Sequence, residues 1–385
     1  MASETNLTLL VKPVGADCPL ACSYCFYRDR AEVSSSPRRM SERTLELLVS
    51  EALGAGVEQV DFIWQGGEPL LAGLDFYQRA ARLQRDGKGP RITNSFQTSG
   101  IGLDEGWAEF FASEGWLVGL SIDGDAEQHD AERPTRGGRP THALALKAAR
   151  LLLDAGVEVN AMSVVSRYNH TLAAERYDNL VALGFSYIQF IPAADADPDD
   201  PTAVAPWSID GEQWGRFLCA LWNRWQADMR RGKLVVIRDF DSILATYLGH
   251  PAGDCTRRQS CGDYLVVDHD GALYSCDFFV DQPLGQLGEQ GLTEVLEGPR
   301  QRAFGMAKAA RHADCDDCQW LQRCWGDCPR QRVGPGVLCE GTRRFLAHAD
   351  GGFKALAKRL RPGPPPRRNA PCPCGSGERA KRCCY

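Results

Sequence analysis

The feature that most constrains this chain is a short loop that contains three cysteines. Cys18, Cys22 and Cys25 have a C-x3-C-x2-C spacing and follow the apolar run Leu7–Val11, which predicts a short β-strand. Thiolates this close together can bind one soft metal centre. A structural zinc or an electron-transfer iron–sulfur cluster is normally closed by four protein ligands, so three cysteines leave one metal position for a ligand from outside the protein. The alternative is a chance group of core or disulfide cysteines.

The composition is that of a globular protein that uses cysteines to bind metal. The chain has 385 residues, 43% of them hydrophobic and 24% charged. It contains no run of about 18 apolar residues that could span a membrane. The stretch Met1 to Asn6 lacks the basic start and apolar core of a signal peptide. The sixteen cysteines lie in tight local groups, which favours metal coordination over disulfides and predicts a reducing, cytoplasmic location.

Apolar strands and amphipathic helices alternate from residue 7 to about residue 240. The helix predicted over Ser41–Leu53 has Ser41 as its N-cap, and Thr141–Ala155 has apolar residues at helical spacing. Such β-α units predict an α/β fold with a parallel sheet covered by helices, and six units are too few for an eight-stranded barrel. We therefore predict an open, partial (β/α)6 barrel. Its predicted strands are Leu7–Val11, Val57–Trp64, Arg91–Gln97, Leu117–Ile122, Glu158–Val165 and Ser186–Ile191.

Together these features resemble the radical S-adenosylmethionine (SAM) superfamily. In that family three cysteines hold a [4Fe–4S] cluster, an aromatic residue such as Tyr24 precedes the last of them, and SAM chelates the fourth iron. The family shares a partial barrel with the active site at the C-terminal ends of the strands. The resemblance implies that Cys18, Cys22 and Cys25 bind this cluster and that the polar motifs after the strands bind SAM.

The polar residues after the predicted strands match motifs of this family. Gly66-Gly67-Glu68-Pro69 has two glycines that allow close backbone approach and a carboxylate that can bind an ammonium group. By itself it is also an ordinary strand-to-helix turn.

Three later segments resemble further motifs of the family: Gln97–Gly100, in which Ser99 replaces the usual Asn, Ser121–Gly124 with the downstream Arg133, and Gln189–Pro192. Taken alone, Ser121 and Arg133 are ordinary polar loop residues. The resemblance implies contacts with the amino group, carboxylate, ribose and adenine of SAM. It assigns them to Tyr24, Gly66, Gly67, Glu68, Gln97, Ser121, Arg133 and Ile191.

Eight further cysteines lie from Cys255 to Cys339. They suffice for two fully ligated four-iron clusters, and a zinc ribbon is the alternative for the dense group between Cys315 and Cys328. Spacing alone does not decide which cysteines share a site. The region resembles the SPASM extension, which carries two auxiliary [4Fe–4S] clusters with interleaved ligands. The resemblance implies a first auxiliary set, Cys255, Cys261, Cys276 and Cys328, and a second auxiliary set, Cys315, Cys318, Cys324 and Cys339.

Asp277 directly follows one of these cysteines and is the predicted catalytic residue. The strings Leu273–Val280 and Leu284–Gly288 resemble the anaerobic sulfatase-maturating enzymes, in which an aspartate here deprotonates the substrate. Oxidation of a Cys or Ser side chain to the aldehyde level removes a hydrogen atom, a proton and an electron, and a carboxylate can take the proton. Without the resemblance, a turn or capping role is the alternative for Asp277.

The C-terminal tail is basic and contains a fourth group of cysteines. Nine Lys or Arg and one Glu lie between Phe353 and Tyr385, so the tail carries +8 and, at a net charge of −6, the remainder carries −14. The acidic body argues against nucleic acid as a partner, whereas the tail is either a contact for another protein or a solvated segment. Its cysteines resemble the SEC-C motif. This resemblance predicts the zinc ligands Cys372, Cys374, Cys383 and Cys384.

We therefore predict a barrel over residues 1–240, a SPASM domain over 241–350, a basic Pro-rich linker over 351–371 and a zinc motif over 372–385. The predicted cofactors are SAM, three [4Fe–4S] clusters and zinc. The predicted reaction converts a Cys or Ser of a sulfatase to Cα-formylglycine, with a flavodoxin- or ferredoxin-type reductant and no membrane partner. The alternatives are modification of a ribosomally made peptide and a non-catalytic metal scaffold; Gly66–Pro69 and the open three-cysteine site argue against the scaffold.

Overall fold

The computed structural model describes residues 6–27, 38–86, 89–195, 197, 200, 203–332 and 336–361, and these residues are organised around a parallel sheet. Strands β1 to β6 lie side by side in chain order, and each neighbouring pair is parallel. The predicted α/β fold with six β-α units is therefore confirmed. The strands are β1 Asn6–Val11, β2 Gln59–Trp64, β3 Arg91–Thr98, β4 Leu117–Ser121, β5 Val159–Val165 and β6 Tyr187–Pro192.

Helices connect these strands and bury their apolar faces against the sheet. α1 begins at the predicted N-cap Ser41, whose Oγ accepts a hydrogen bond from the Thr44 amide at 3.1 Å. α7 begins at a capping box between Asp210 and Gln213. The helices of this region are α1 Glu42–Leu53, α2 Leu74–Asp86, α3 Glu105–Glu114, α4 Ala126–Glu132, α5 His142–Asp154, α6 Ala173–Ala182 and α7 Gly211–Arg230.

The sheet is wider than the sequence predicts, because the second half of the chain extends it at both edges. β7 Val236–Ile237 pairs with β6, and β8 Leu265–Val267 pairs in parallel with β1. β9 Ala272–Tyr274 and β10 Gly285–Gln286 continue antiparallel beyond β8. Strands of two or three residues have too little periodicity to be recognised in a sequence. The second half is thus hydrogen-bonded directly to β1, the strand that leads into the three-cysteine loop.

A C-terminal helix that the sequence did not predict crosses the predicted start of the linker. We placed the start of a linker at residue 351, but α12 Cys339–Leu360 continues to residue 360. Phe353 and Ala357 are buried, and α12 packs on α7 so closely that a Cβ at Gly341 would lie 2.1 Å from the Gly211 carbonyl oxygen. This buried face is why the segment is helical. Outside the described residues lie the rest of the predicted linker and the predicted zinc ligands Cys372, Cys374, Cys383 and Cys384.

Shorter helices complete the second half of the chain. Their bounds are α8 Arg238–Leu248, α9 Leu292–Leu296, α10 Pro299–Ala307 and α11 Leu321–Cys324. Among the helices in the described residues, none is both long and apolar enough to cross a bilayer. In the core of the first half, the ring of Trp64 stacks on Phe62 and Trp116, with centroids 5.6 and 6.1 Å apart. Buried aromatic side chains of this size dominate the energetics of a core.

Candidate active site

A cavity of about 460 Å³ lies between the parallel sheet and the second half of the chain. We call it the main cavity. It brings together Asp277, the three loop cysteines and every residue that we predicted to contact SAM. These lining residues are Cys18, Cys22, Cys25, Tyr24, Gly66, Gly67, Glu68, Gln97, Ser121, Arg133, Ile191 and Asp277.

The two glycines after β2 hold the cysteine loop in place. Gly67 has φ +45°, and a Cβ there would lie 2.1 Å from the Asp17 carbonyl oxygen. The Glu68 amide donates to the same oxygen at 2.7 Å. The sequence predicted close backbone approach at this position, and the structure shows such an approach to Asp17, directly before Cys18. A glycine is required here because no other residue fits against Asp17.

The Glu68 carboxylate also connects the motifs after β2 and β3. It is buried and accepts hydrogen bonds from Thr98 Oγ1 at 2.7 Å and from the Ser99 amide at 2.8 Å. Burial raises the pKa of Glu68, while these hydrogen bonds lower it. Ser99, which departs from the family's usual Asn, thus makes a defined contact. Glu68 therefore fixes the shape of the cavity wall as well as lining it.

Four of the other predicted SAM contacts form two hydrogen-bonded pairs. Gln97 Nε2 donates to Ser121 Oγ at 3.1 Å, and Arg133 Nη1 donates to Tyr24 OH at 2.8 Å. Burial raises the pKa of the Tyr24 phenol well above its ordinary value, so the hydroxyl stays protonated. Arg133 and Tyr24 join the wall of the cavity to the cysteine loop, since Tyr24 lies between Cys22 and Cys25. The pairing gives each side chain a fixed direction in the cavity.

Asp277 is buried and is surrounded by three polar side chains that the sequence reasoning missed. Lys12 Nζ lies 3.3 Å from Oδ1, Tyr27 OH donates a hydrogen bond to Oδ2, and Gln65 Nε2 donates to Oδ2 at 3.4 Å. Burial, followed by the charge of Asp277, raises the pKa of Tyr27 well above its ordinary value. Tyr27 and Gln65 lie next to recognised motifs, Tyr27 two residues after Cys25 and Gln65 directly before Gly66, and this adjacency is the signal that could have found them.

The first auxiliary set lines the same main cavity. The wall contains Cys255, Cys261, Cys276 and Cys328. Burial, followed by the charges of Asp254 and of the other three cysteines, raises the pKa of the Cys255 thiol to about 12. Four cysteines on the wall of one cavity match the ligand number of a [4Fe–4S] cluster.

The second auxiliary set lines a separate cavity of about 340 Å³, which we call the second cavity. Its wall contains Cys315, Cys318, Cys324 and Cys339. Burial raises the pKa of the Cys324 thiol to about 12, and the four cysteines again match the ligand number of a cluster. Across the described part of the chain, no three His, Cys, Asp or Glu side chains converge closely enough to hold a single metal ion. The assignment of the two sets therefore rests on which cysteines line which cavity.

A short left-handed segment explains how ligands close in sequence enter different cavities. Cys324 lines the second cavity and Cys328 lines the main cavity. Between them, Trp325, Gly326 and Asp327 have φ values of 55°, 77° and 54°. Positive φ is uncommon for residues other than glycine, and three such residues in succession turn the chain sharply. Asp327 lines both cavities and thus lies between the two auxiliary sets.

Comparison with known proteins matches three parts of the chain. The Radical SAM superfamily matches residues 13–175, the SPASM iron–sulfur cluster-binding domain matches 255–319, and the SEC-C motif matches 368–385. The chain is 37% identical over 371 residues to the serine-type anaerobic sulfatase-maturating enzyme of Bacteroides thetaiotaomicron, with 89% of each protein covered. The chain belongs to the anaerobic sulfatase-maturating enzymes.

Other members of this family support the assignment. The cysteine-type anaerobic sulfatase-maturating enzyme of Clostridium perfringens is 33% identical over 356 residues, which cover 89% of this chain and 96% of the relative. The structure of native anSMEcpe with bound AdoMet and Cp18Cys peptide has a TM-score of 0.87 and 31% identity, and covers 93% of this chain and 100% of its own. The predicted radical SAM and SPASM parts of a sulfatase-maturating enzyme are therefore confirmed, while the individual site residues stay predictions.

Proposed function

We propose that this chain oxidises a Cys or Ser side chain of a sulfatase-type protein to Cα-formylglycine. The observation that carries the proposal is one cavity that contains both the Cys18–Cys25 loop and Asp277. A group that removes a hydrogen atom and a base that removes a proton can therefore reach the same substrate side chain. The names of the relatives, serine-type and cysteine-type anaerobic sulfatase-maturating enzymes, support this class of substrate.

Asp277 is the residue to which we assign the proton. Lys12, 3.3 Å away, provides the opposite charge, and the hydrogen bonds from Tyr27 and Gln65 orient the carboxylate. Because burial raises its pKa, the Tyr27 phenol keeps its own proton. Asp277 therefore takes a proton from the substrate and not from Tyr27. A carboxylate positioned in this way acts as a general base on a hydroxyl or thiol that enters the main cavity.

The cofactors would supply the remaining chemistry. When bound, SAM supplies the hydrogen-atom acceptor and is consumed as 5′-deoxyadenosine and methionine, and an oxidised auxiliary cluster accepts one electron. The chain balances this reaction by taking the proton at Asp277. A Ser side chain then yields the aldehyde directly, whereas a Cys side chain yields a thioaldehyde that water converts to the aldehyde with release of hydrogen sulfide.

We assign the ligands according to the cavity that each residue lines. The radical SAM cluster would bind to Cys18, Cys22 and Cys25. SAM would contact eight residues of the main cavity wall, which are Tyr24, Gly66, Gly67, Glu68, Gln97, Ser121, Arg133 and Ile191. The two auxiliary clusters would bind to the first and second auxiliary sets, giving three [4Fe–4S] clusters in all. The two cavities have no lining cysteine in common, which supports this division.

Further partners follow from the reaction. A cluster that reduces SAM requires an electron donor, for which we propose a flavodoxin- or ferredoxin-type protein. Thiolate-bound clusters favour a reducing, cytoplasmic location. The match of residues 368–385 to the SEC-C motif supports zinc at Cys372, Cys374, Cys383 and Cys384 and a contact of the basic tail with another protein.

A peptide assay tests the proposed function. Anaerobically reconstituted protein, SAM, a reductant and a short peptide with a sulfatase C-x-P-x-R or S-x-P-x-R sequence are incubated, and the peptide mass and hydrazine trapping of an aldehyde are measured. We expect loss of two hydrogens from the Ser peptide, and replacement of sulfur by oxygen with loss of two hydrogens from the Cys peptide. A matched peptide with Ala at the target position is the control.

The same assay separates the alternatives. A crosslinked or epimerised peptide would show a peptide maturase instead. Absence of 5′-deoxyadenosine from protein that has bound its iron would contradict every radical SAM reaction. Formation of 5′-deoxyadenosine without aldehyde from either peptide would contradict the proposed substrate class.

A further inference from the structure

Lys308 is a buried cation to which the proposed reaction assigns no role. It follows α10 Pro299–Ala307 and is 1% exposed. Its Nζ donates hydrogen bonds to the carbonyl oxygens of Cys255 at 2.7 Å, Thr256 at 2.8 Å and Arg258 at 2.5 Å. An ammonium has three N–H groups and a neutral amine only two, so three carbonyl acceptors indicate the charged form.

The ammonium lies beside the first auxiliary set. Burial lowers the pKa of Lys308, and its neighbours Cys261, Cys255 and Cys328 oppose this shift in that order. A buried charge is strongly unfavourable unless an opposite charge lies nearby. Four thiolates around a [4Fe–4S] cluster leave that cluster with net negative charge, which is the partner that a cation at this position requires.

Two cations near the second auxiliary set form ion pairs, whereas Arg332, a charged neighbour of Cys315 and of Cys261, donates hydrogen bonds to backbone carbonyl oxygens. Arg311, a charged neighbour of Cys315, forms an ion pair with Asp316 at 2.8 Å. Arg257, a charged neighbour of Cys324, forms an ion pair with Asp239 at 3.5 Å. Among the described residues, no carboxylate lies within 4.0 Å of Lys308 Nζ. The charge of Lys308 therefore acts on the first auxiliary set without a neutralising partner.

We propose that Lys308 is a positioning residue that raises the reduction potential of a cluster on the first auxiliary set, and so makes this cluster the electron acceptor for the substrate. A nearby positive charge stabilises the more negative, reduced state of a cluster, because it lowers the energy of the added electron. The inference rests on the proposed function, which places this cluster beside Asp277.

The electron balance of this step is simple. After loss of a hydrogen atom and of the proton to Asp277, the substrate carbon holds one unpaired electron. That electron passes to the oxidised cluster, which is reduced by one electron, while the substrate forms its C=O or C=S bond. A more positive reduction potential of the acceptor favours this transfer.

An EPR-monitored redox titration tests the proposal in the full chain. Cys18→Ala, Cys22→Ala and Cys25→Ala remove the radical SAM cluster, so that only the auxiliary clusters give a signal. In this background we compare Lys308 with Lys308→Gln, which keeps N–H donors for the carbonyls but carries no charge, and with Lys308→Met, which has neither. Lys308→Arg keeps the charge, and the exposed Lys354→Gln is the matched surface control.

We expect one of the two midpoint potentials to fall in both neutral variants. The expected shift is about tenfold in the ratio of oxidised to reduced cluster, which is about 59 mV for one electron. The other midpoint potential should stay near its parent value in the neutral variants. Both midpoint potentials should stay near their parent values in Lys308→Arg and Lys354→Gln. Iron content is measured first in every variant.

Three outcomes would overturn the inference. Unchanged potentials in neutral variants with full iron would show that the charge has no effect on the cluster. A fall that is equal at both clusters would show that Lys308 does not distinguish them. Loss of one cluster from both neutral variants but not from Lys308→Arg would leave Lys308 as a purely structural support. Each is distinguishable from failure of the proposed function, which would appear as absence of aldehyde with the unchanged chain.

Discussion

Asp277 and Asp327 are both buried and both adjoin a cysteine of the first auxiliary set, yet they face different partners. Asp277 follows Cys276 and contacts Lys12, Tyr27 and Gln65 in the main cavity. Asp327 precedes Cys328 and lies between the two cavities.

The surroundings of Asp327 are those of a structural group. Its Oδ1 accepts a weak hydrogen bond from Cys324 Sγ at 3.7 Å. Burial raises the pKa of Asp327, and the charge of Arg257 is the largest effect in the opposite direction. We therefore expect the partners of each aspartate and the cavity that it faces, rather than its adjacency to a predicted cluster ligand, to decide its role.

The largest effect on aldehyde formation is expected from replacing Asp277, a carboxylate in the main cavity. Asp277→Asn keeps the shape of the side chain but cannot take the proton, so aldehyde formation should fall by about 10²–10⁴-fold. SAM cleavage, measured as 5′-deoxyadenosine by liquid chromatography, should continue. Aldehyde formation within about twofold of the unchanged chain would show that Asp277 is not the base.

A smaller but still large effect is expected where the cysteine loop meets the main cavity. Gly67→Ala places a Cβ 2.1 Å from the Asp17 carbonyl oxygen, so the loop must move. We expect iron bound at the three loop cysteines to decrease and SAM cleavage to fall at least about tenfold.

Gly73→Ala is the matched control for this change. Gly73 also has positive φ, +87°, but a Cβ there meets no atom within 4 Å. Its backbone strain should lower the free energy of unfolding by about 1 kcal/mol without loss of iron. Equal iron loss in both variants would show that backbone strain, and not the contact with Asp17, is responsible.

Removing the hydroxyl next to Asp277 should have an intermediate effect. Tyr27→Phe deletes the hydrogen bond to Oδ2 and leaves the ring, so we expect aldehyde formation to fall about tenfold, as for one hydrogen bond to a charged group. The rate of SAM cleavage per molecule of enzyme should stay unchanged. Tyr168→Phe, at a tyrosine that is 61% exposed, is the control, and an equal effect of the two changes would contradict the orienting role of Tyr27.

The smallest effect on the reaction is expected at Asp327. Asp327→Asn keeps a residue that tolerates φ of +54°, so aldehyde formation should change less than about threefold. Asp327→Ala adds backbone strain, and the free energy of unfolding in denaturant should fall by about 1–2 kcal/mol more than in Asp327→Asn. A loss of aldehyde in Asp327→Asn that equals the loss in Asp277→Asn would erase the distinction between the two aspartates.

Site residues that are close together in the chain could be predicted from the sequence, whereas contacts between residues far apart in the chain could not. The cysteine loop, Glu68 and the strands of the barrel depend on local spacing and periodicity, and each was recognisable. Lys12, Tyr27 and Gln65 meet Asp277 only because β8 pairs with β1, a contact between residues more than 250 positions apart. Strands of two or three residues carry no pattern from which that pairing can be read.

Two further differences have the same origin. Gly67 was recognised as a site of close approach, but only packing shows that Asp17 is a neighbour on one side of it. The helix α12 extends past the predicted boundary at residue 351 because Phe353 is buried against α7 and α8, where its ring lies 4.4 Å from that of Trp222 between centroids. Tertiary packing thus overrides the composition of the basic tail.

Hydrogen-atom removal and deprotonation are proposed to occur on one substrate side chain in the main cavity. The decisive experiment uses a peptide whose target Ser or Cys carries two deuterium atoms at Cβ, with the 5′-deoxyadenosine product analysed by mass spectrometry. We expect one deuterium in 5′-deoxyadenosine for each aldehyde formed. Aldehyde formed without deuterium in 5′-deoxyadenosine would show that the hydrogen atom is not taken from Cβ of the target residue.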